Sequence, residues 1–344
     1  MKSRRASTAP SSVSRTRVRT VQSERAPAAS LRDRVADIER NESASVIADV
    51  HTKRREFVLL LSCRDSKGVV YAVSGVLFQA GCNIIDSQQF GDVDARQSTG
   101  LFFMRVHFDA PHGIADIPTL EKLFGHVAEK FEMTVRFHDL DKKPRVLILV
   151  SKQGHCLNDL LFRRTTNQLP VHIAGVVSNH ADLGGMVRGY GFPFHHFPLL
   201  PGSSIRAKRV QERQIEALIE RERIELVVLA RYMQILTPEF CEFLKGRAIN
   251  IHHSFLPSFK GARPYLQAFG RGVKLIGATA HYVTPELDEG PIIEQDVARV
   301  DHSQGPEDLA ALGRDVECLV LSRAVKWHSE HRVLLNGHKT VVFR

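Results

Sequence analysis

Hydrophobic positions become periodic only after the first fifty-odd residues of this chain. Residues 1–55 are polar, charged and rich in Ser and Ala, with at most a short helical pattern over 31–40. Such a segment buries too little apolar surface to offset the entropy of ordering, so a disordered tail is expected. From Phe57-Val-Leu-Leu-Leu61 onward the pattern changes. A strand over 57–61 runs into a turn at 63–68, where Asp65 or Ser66 is placed to cap a helix over 68–79. Val69, Val73, Val76 and Leu77 recur there at helical spacing, and Gly81 supplies the left-handed stop. Strands follow at 83–90 and, after a turn at 91–94, at 99–108. In the latter, Phe102, Met104, Val106 and Phe108 alternate with Arg105 and His107. A helix over 119–130 and a strand over 131–138 complete a β-α-β-β-α-β order. That order predicts a ferredoxin-like antiparallel sheet with two helices on one face.

A charged stretch ending in Pro144 reads as a linker over 141–144, and the period then changes. Short apolar strands at 146–150, 171–177, 194–197 and 225–229 alternate with helices at 156–164, 182–190 and 206–221. Later strands fall at 247–252, 275–283 and 292–297, before a long helix over 305–331. This is the pattern of a doubly wound, mostly parallel α/β sheet covered on both faces, which binds ligands at the carboxyl ends of its strands. The expected organisation is therefore a basic tail (1–55), a ferredoxin-like domain (56–140), the linker (141–144) and an α/β domain (145–344).

Composition narrows the function classes. The formal net charge is +9, but Lys2, Arg4, Arg5, Arg15, Arg17 and Arg19 lie in an acid-free run over 1–23 and supply +6, leaving +3 for the rest. The charge sits on the tail and not on a folded groove interleaved with aromatics, so no nucleic-acid partner is expected. The Arg- and Ser-rich tail also has the composition of an organelle targeting segment, but plain disorder is the favoured reading. No apolar run approaches the roughly 20 residues that span a bilayer, so no membrane partner is expected. Five cysteines without a Cys-x-x-Cys pair fit a reducing, cytoplasmic setting.

The densest polar segment is Ile249-Asn-Ile-His-His-Ser-Phe-Leu-Pro-Ser-Phe-Lys260. Asn250 and His252 are two apart and face the same side of a strand, at its end, where an amide and an imidazole can donate to a developing oxyanion. A hydrogen-bonded core pair would leave the same trace. Asp288 lies in a loop punctuated by Pro285, Gly290 and Pro291, placed either for general-base work beside His281 or simply as a turn residue. His328 and His331 are three apart on a helix, which is read as an exposed face and not as a metal clamp.

Three segments carry a resemblance: Asn250-Ile-His252 with the following His-Ser-Phe-Leu-Pro-Ser-Phe-Lys-Gly261, His281 with Leu287-Asp288-Glu-Gly-Pro-Ile-Ile293, and Leu229-Ala-Arg-Tyr-Met-Gln-Ile-Leu236. Through them, residues 145–344 resemble the formyltetrahydrofolate-dependent formyltransferase fold and, within it, the formyltetrahydrofolate deformylase (hydrolase) family; residues 57–138 resemble an ACT regulatory domain. The resemblance implies hydrolysis of 10-formyltetrahydrofolate to tetrahydrofolate and formate, serving the one-carbon pool and formate supply for purine synthesis. It implies Asn250, His252 and Asp288 as the catalytic set, with the first proton acceptor left open between Asp288 and His252. Folate contacts are implied for Tyr232, Met233, Gln234, Ile235, Leu236, His281, Val283 and Leu287. Water is the expected acceptor, because Ser151-Lys-Gln-Gly-His-Cys156 departs from the glycine-rich phosphate loop of transferases. No metal and no cofactor are expected. An ACT domain further implies a homo-oligomer and an amino-acid effector near Asp65, Gly68, Gly81 and Asn83.

Overall fold

The computed structural model describes residues 54–93, 96, 98–200, 202–257 and 264–344, so all of the expected tail except Arg54 and Arg55 lies outside the described residues. In the first sheet, β1 (Arg55–Arg64), β2 (Asn83–Gly91), β3 (Leu101–Ala110) and β4 (Thr134–Asp139) are arranged in the order β2-β3-β1-β4, all pairs antiparallel. Helices α1 (Val69–Gln79) and α2 (Ile117–Lys130) join them in β-α-β-β-α-β order. Phe57, Leu59, Leu61, Met104, Val106 and Phe108 pack with Val69, Val73 and Leu77 of α1 and Leu120 and Phe124 of α2. One local expectation fails. Neither Asp65 nor Ser66 caps α1; Gly68, at φ 94°, occupies the cap position without a side-chain bond. Glycine reaches this left-handed geometry at low steric cost, and the backbone turns in there unaided.

The second sheet contains β5 (Arg145–Val150), β6 (His172–Ser178), β7 (Phe194–His196), β8 (Leu226–Leu229), β9 (Ala248–His252), β10 (Leu275–Tyr282) and β11 (Ile292–Arg299), in the order β11-β10-β9-β8-β5-β6-β7. Strands β5 to β9 run parallel, while β10 is antiparallel to both β9 and β11. The connecting helices are α3 (His155–Thr165), α4 (Gly184–Gly189), α5 (Ile205–Arg221), α6 (Pro238–Phe243), α7 (Pro264–Gly270) and α8 (Pro306–Ser329). Apolar clusters cover both faces, one including Leu157, Leu160 and Val320, the other Ile215, Ile219 and Phe240. Helix α7 was not foreseen; Pro264 and Gly270 bracket it so closely that no helical period develops.

A further hairpin, β12 (Val333–Asn336) and β13 (Lys339–Val342), turns at Gly337 and was also not expected. It explains why the polar face of β3 is not solvated. Phe103 is buried against Val341 and Phe343. Arg105, 3% exposed, donates from Nε to the His331 carbonyl (3.1 Å), from Nη2 to the Glu330 carbonyl (3.2 Å) and from Nη1 to Asp86 (3.2 Å). The end of α8 therefore receives a cation where its carbonyls lack helical partners. Among the described residues no helix is long and apolar enough to cross a membrane.

His328 and His331 lie in this seam, not on an exposed helix face. The His331 ring stacks on His138 of β4 at 3.6 Å, and His328 Nδ1 lies 2.7 Å from the Tyr282 hydroxyl. Burial pushes His138 and His328 down from 6.5 to about 4, helped by Arg136 at the first and His138 at the second. His331 is driven down as well, by burial first and then by His138, His328 and Arg105. These imidazoles stay neutral in the fold but take up protons below about 6.5 when unfolded. Their stabilising contribution is whole above about 6.5 and is lost as pH falls toward about 4. The melting temperature is predicted to drop across that window, and His138→Phe, which keeps the stacking and removes one titrating group, should flatten the drop. An unchanged pH profile in the variant would refute this.

Candidate active site

The register between β9 and β10 assembles the polar cluster. Asn250 lies opposite His281, and His252 opposite Thr279. The Asn250 amide Nδ2 sits 3.2 Å from His281 Nε2, and His281 Nδ1 sits 2.9 Å from the Tyr282 carbonyl. A carbonyl only accepts, so His281 Nδ1 carries a proton; Nε2 accepts from Asn250 when the ring is neutral and points a proton toward Asp288 when the ring is charged. With the ring neutral, the amide donates one N–H to His281 and keeps its second for another acceptor.

Asp288 is delivered by the loop that follows β10. Its Oδ2 is 3.2 Å from His252 Nδ1, and its Oδ1 is 3.7 Å from His281 Nε2. Two backbone features hold it there. Asp288 has φ 59°, a left-handed conformation that costs an L-residue about 1–2 kcal/mol but that Asp tolerates better than most. Gly290 passes so close to β10 that an added Cβ would stand 1.7 Å from the Tyr282 carbonyl oxygen. Burial pushes the Asp288 carboxyl up, but the hydrogen bonds and charges of His252 and His281 outweigh this and hold it well below the usual carboxylate range. With His252 Nδ1–H directed at Asp288, its Nε2 is the free atom; it is buried with no hydrogen-bond partner among the described residues. A buried imidazole nitrogen without a partner is what a site that receives a ligand or water leaves behind.

These groups open on a cleft of about 500 Å³. Asn250, His252 and Asp288 all line it, together with Tyr232, Met233, Gln234, Ile235, Leu236, His281, Val283 and Leu287. The expected residues are thus brought together in one place. Met233, Ile235 and Leu287 are more than half exposed along it, an apolar rim suited to a flat ring. Tyr232 plays a different part: it is 6% exposed and its hydroxyl donates to Gln211, so it forms floor and not wall.

A second polar network at the same cleft escaped the sequence. Arg231 donates from Nε and Nη2 to Gln153 Oε1 (3.0 and 2.8 Å), and its Nε is 3.4 Å from Glu317. Glu317, 1% exposed, also contacts His155 Nε2 at 2.7 Å and accepts from the Tyr265 hydroxyl at 2.5 Å. Burial pushes Glu317 up, but His155, Arg231 and Tyr265 reverse this and keep it below its ordinary value. An acid on an amphipathic helix gives no sign of such burial; the available clue was Gly313, one turn earlier, where an added Cβ would stand 2.2 Å from the Tyr265 ring. Ligand atoms of His155, Cys156 and Glu317 converge within 4.8 Å. The Glu317 oxygens are already engaged, and a hydrogen bond to Cys318, with burial, holds the Cys156 thiol protonated, so this donor set is arranged as a hydrogen-bond network.

The residues expected to hold an effector do not form one cluster within the chain. Asp65 and Gly68 precede α1, whereas Gly81 and Asn83 follow it, and its eleven residues put roughly 16 Å between the two pairs.

Comparison with known proteins agrees with this architecture. The Formyl transferase family matches residues 144–325, which defines the class of the larger sheet and its site. A glycinamide ribonucleotide transformylase structure from Symbiobacterium toebii superposes with TM-score 0.55 at 29% identity, covering 59% of this chain and 95% of its own. Similarity to deformylases extends across both sheets. A formyltetrahydrofolate deformylase from Corynebacterium sp. is 49% identical over 287 residues, 83% of this chain and 98% of that protein. The crystal structure of a formyltetrahydrofolate deformylase from Burkholderia mallei gives TM-score 0.78 at 51% identity, covering 84% of this chain and all of the other. The chain belongs to the formyltetrahydrofolate deformylase family.

The Asp288 environment gives a direct spectroscopic test. Its ¹³C carboxyl resonance should show no titration at or above pH 3.8. With both imidazoles removed (His252→Ala, His281→Ala) only burial remains, and the carboxyl should titrate above that value. Titration near 3.8 in both proteins would show that the imidazoles do not control this group.

Proposed function

We propose that this chain hydrolyses 10-formyltetrahydrofolate to tetrahydrofolate and formate. Membership of the deformylase family supports the substrate. The observation that carries the reading is the contact of Asp288 with His252 at 3.2 Å, which leaves Nε2 of this cleft-lining residue buried and unpartnered among the described residues. The pterin ring lies against Met233, Ile235 and Leu287, which brings the formyl group to Asn250 and His252.

Asp288 is ionised before the attack and fixes the His252 tautomer. Its position lets it, directly or through His252, accept the proton of the attacking water. The water oxygen bonds to the formyl carbon, and the carbonyl π electrons move to oxygen. The free Asn250 N–H and the now protonated His252 stabilise that oxyanion. When the intermediate collapses, the C–N10 bond breaks and its electron pair takes a proton on N10. Formate leaves as an anion, so the balance is formamide plus water giving amine, formate and one proton to the medium. No cofactor is drawn on in this scheme.

Water is favoured over an amine acceptor by the loop after β5. Two of its side chains are bonded within the chain: Ser151 Oγ donates to Asn179 (2.8 Å) and accepts from the Met233 backbone N–H (2.9 Å), while Gln153 accepts from Arg231. Side chains engaged in this way are not open to a phosphate.

The first sheet fits an ACT-type regulatory domain in element order. Its β2 is an edge strand carrying Ile84, Ile85 and Phe90 on exposed positions, which suits edge-to-edge pairing in a homo-oligomer. An amino acid bound at such a seam, where a second copy can unite the two ends of α1, is the effector arrangement this reading favours. The activity belongs to a cytoplasmic one-carbon pool and regulates formate supply for purine synthesis.

Purified full-length protein should release formate from 10-formyltetrahydrofolate with no amine added. Asn250→Ala, His252→Ala and Asp288→Asn should each lower kcat by about 10²–10³-fold with KM much less affected. Formate that appears only after an amine acceptor is supplied would overturn the assignment.

A further inference from the structure

Hydrolysis differs from formyl transfer in one electrostatic respect. A neutral formamide becomes a carboxylate anion, produced beside the already ionised Asp288. Two carboxylates in a partly buried cleft repel each other strongly unless a cation stands between or beside them. We propose that Arg231 is that cation, and that its outer edge forms a subsite for formate and other small monocarboxylates. The proposal rests on the hydrolytic reading above.

The guanidinium is buried, 7% exposed, and lines the same cleft as Asn250 and His252. Its orientation is set from two sides. Gln153 Oε1 accepts from both Nε and Nη2, occupying the side-on edge, and Glu317 stands 3.4 Å from Nε. The remaining nitrogen, Nη1, is buried without a hydrogen-bond partner among the described residues. The end-on edge, Nη1 with the second hydrogen of Nη2, is therefore buried with no acceptor at Nη1 among the described residues, and its two parallel donors match the two oxygens of a carboxylate.

The backbone supports this as a built feature. Arg231 has φ 65°, a conformation that costs a long side chain about 1–2 kcal/mol, and its carbonyl is tied down by the Ser151 N–H at 3.1 Å. Strain of this kind survives where surrounding structure over-determines a position, commonly at sites of function. Glu317 does not satisfy the open edge, because its oxygens are already held by His155 and Tyr265. Gln153, a neutral acceptor, orients the guanidinium without adding to the partial neutralisation that Glu317 already provides. A purely structural role, compensating Glu317, would leave no reason for a neutral residue to take two of the donors while Nη1 goes without.

The test measures binding of ¹³C-formate to the full chain by NMR line broadening, at constant ionic strength with chloride. Saturable broadening that chloride and neutral formamide do not displace is expected for the wild type. Arg231→Gln should weaken it by about tenfold or more, and Arg231→Lys, which keeps the charge but lacks the fork, by a smaller factor. No broadening in the wild type, or equal affinity in the two variants and the wild type, overturns the subsite. If Arg231→Gln does not fold, the Lys variant decides: undiminished affinity refutes the fork. Acceptor-free formate release by the wild type is scored separately. Its absence alongside Arg231-dependent formate binding would sink the hydrolytic reading and leave the subsite standing.

Discussion

One carboxylate between two imidazoles organises this site. Asp288 contacts His252 at 3.2 Å and His281 at 3.7 Å in a position that burial alone would disfavour for an anion. The imidazoles reverse the sign of that effect, and the carboxylate in turn engages His252 Nδ1, which leaves Nε2 as the ring nitrogen without a partner among the described residues. The contact exists only because the loop after β10 reaches the strand ends. That approach requires a left-handed Asp288 and a glycine at 290, where the Tyr282 carbonyl leaves no room for a side chain. Local strain is accepted at the point where the chemistry needs a charge held still.

The reversal of β10 in an otherwise parallel half-sheet has a related purpose. Because β10 runs against β9, His281 meets Asn250 directly across the ladder, while the chain leaves β10 beside Ala248 and Ile249, so the following loop has to turn back to bring Asp288 to His252. The same sheet end receives the 231–236 loop, so the apolar rim and the polar cluster share one cleft. The two sheets meet on the other side of α8, where Arg105 and the stacked His138 and His331 lock the first sheet to the helix end.

Much of this was legible in the chain. The two-residue spacing of Asn250 and His252 puts both on one face of a strand, and Pro285, Gly290 and Pro291 mark a constrained loop around Asp288. The alternation of short apolar strands and helices was enough to indicate a mostly parallel sheet. What was not legible depends on contacts distant in sequence. The burial of Arg105 could not be foreseen because nothing in β3 announces that α8 and a terminal hairpin cover that face. His328 and His331 looked like surface residues for the same reason. Arg231 lay inside a recognisable segment, yet its partners Gln153 and Glu317 come from 78 residues before and from a helix far downstream. The cap of α1 was misjudged because a polar side chain and a glycine can both begin a helix, and sequence does not show which the turn will use.

The central claim is that His252 and Asp288 act as one unit on a single formyl carbon. A double-mutant cycle on kcat/KM with His252→Ala and Asp288→Asn measures this directly. The account predicts strong non-additivity: once His252 is gone, losing the Asp288 charge should cost little more. Independent, multiplying losses would mean that the two residues serve separate steps, and the arrangement described here would not be the catalytic one.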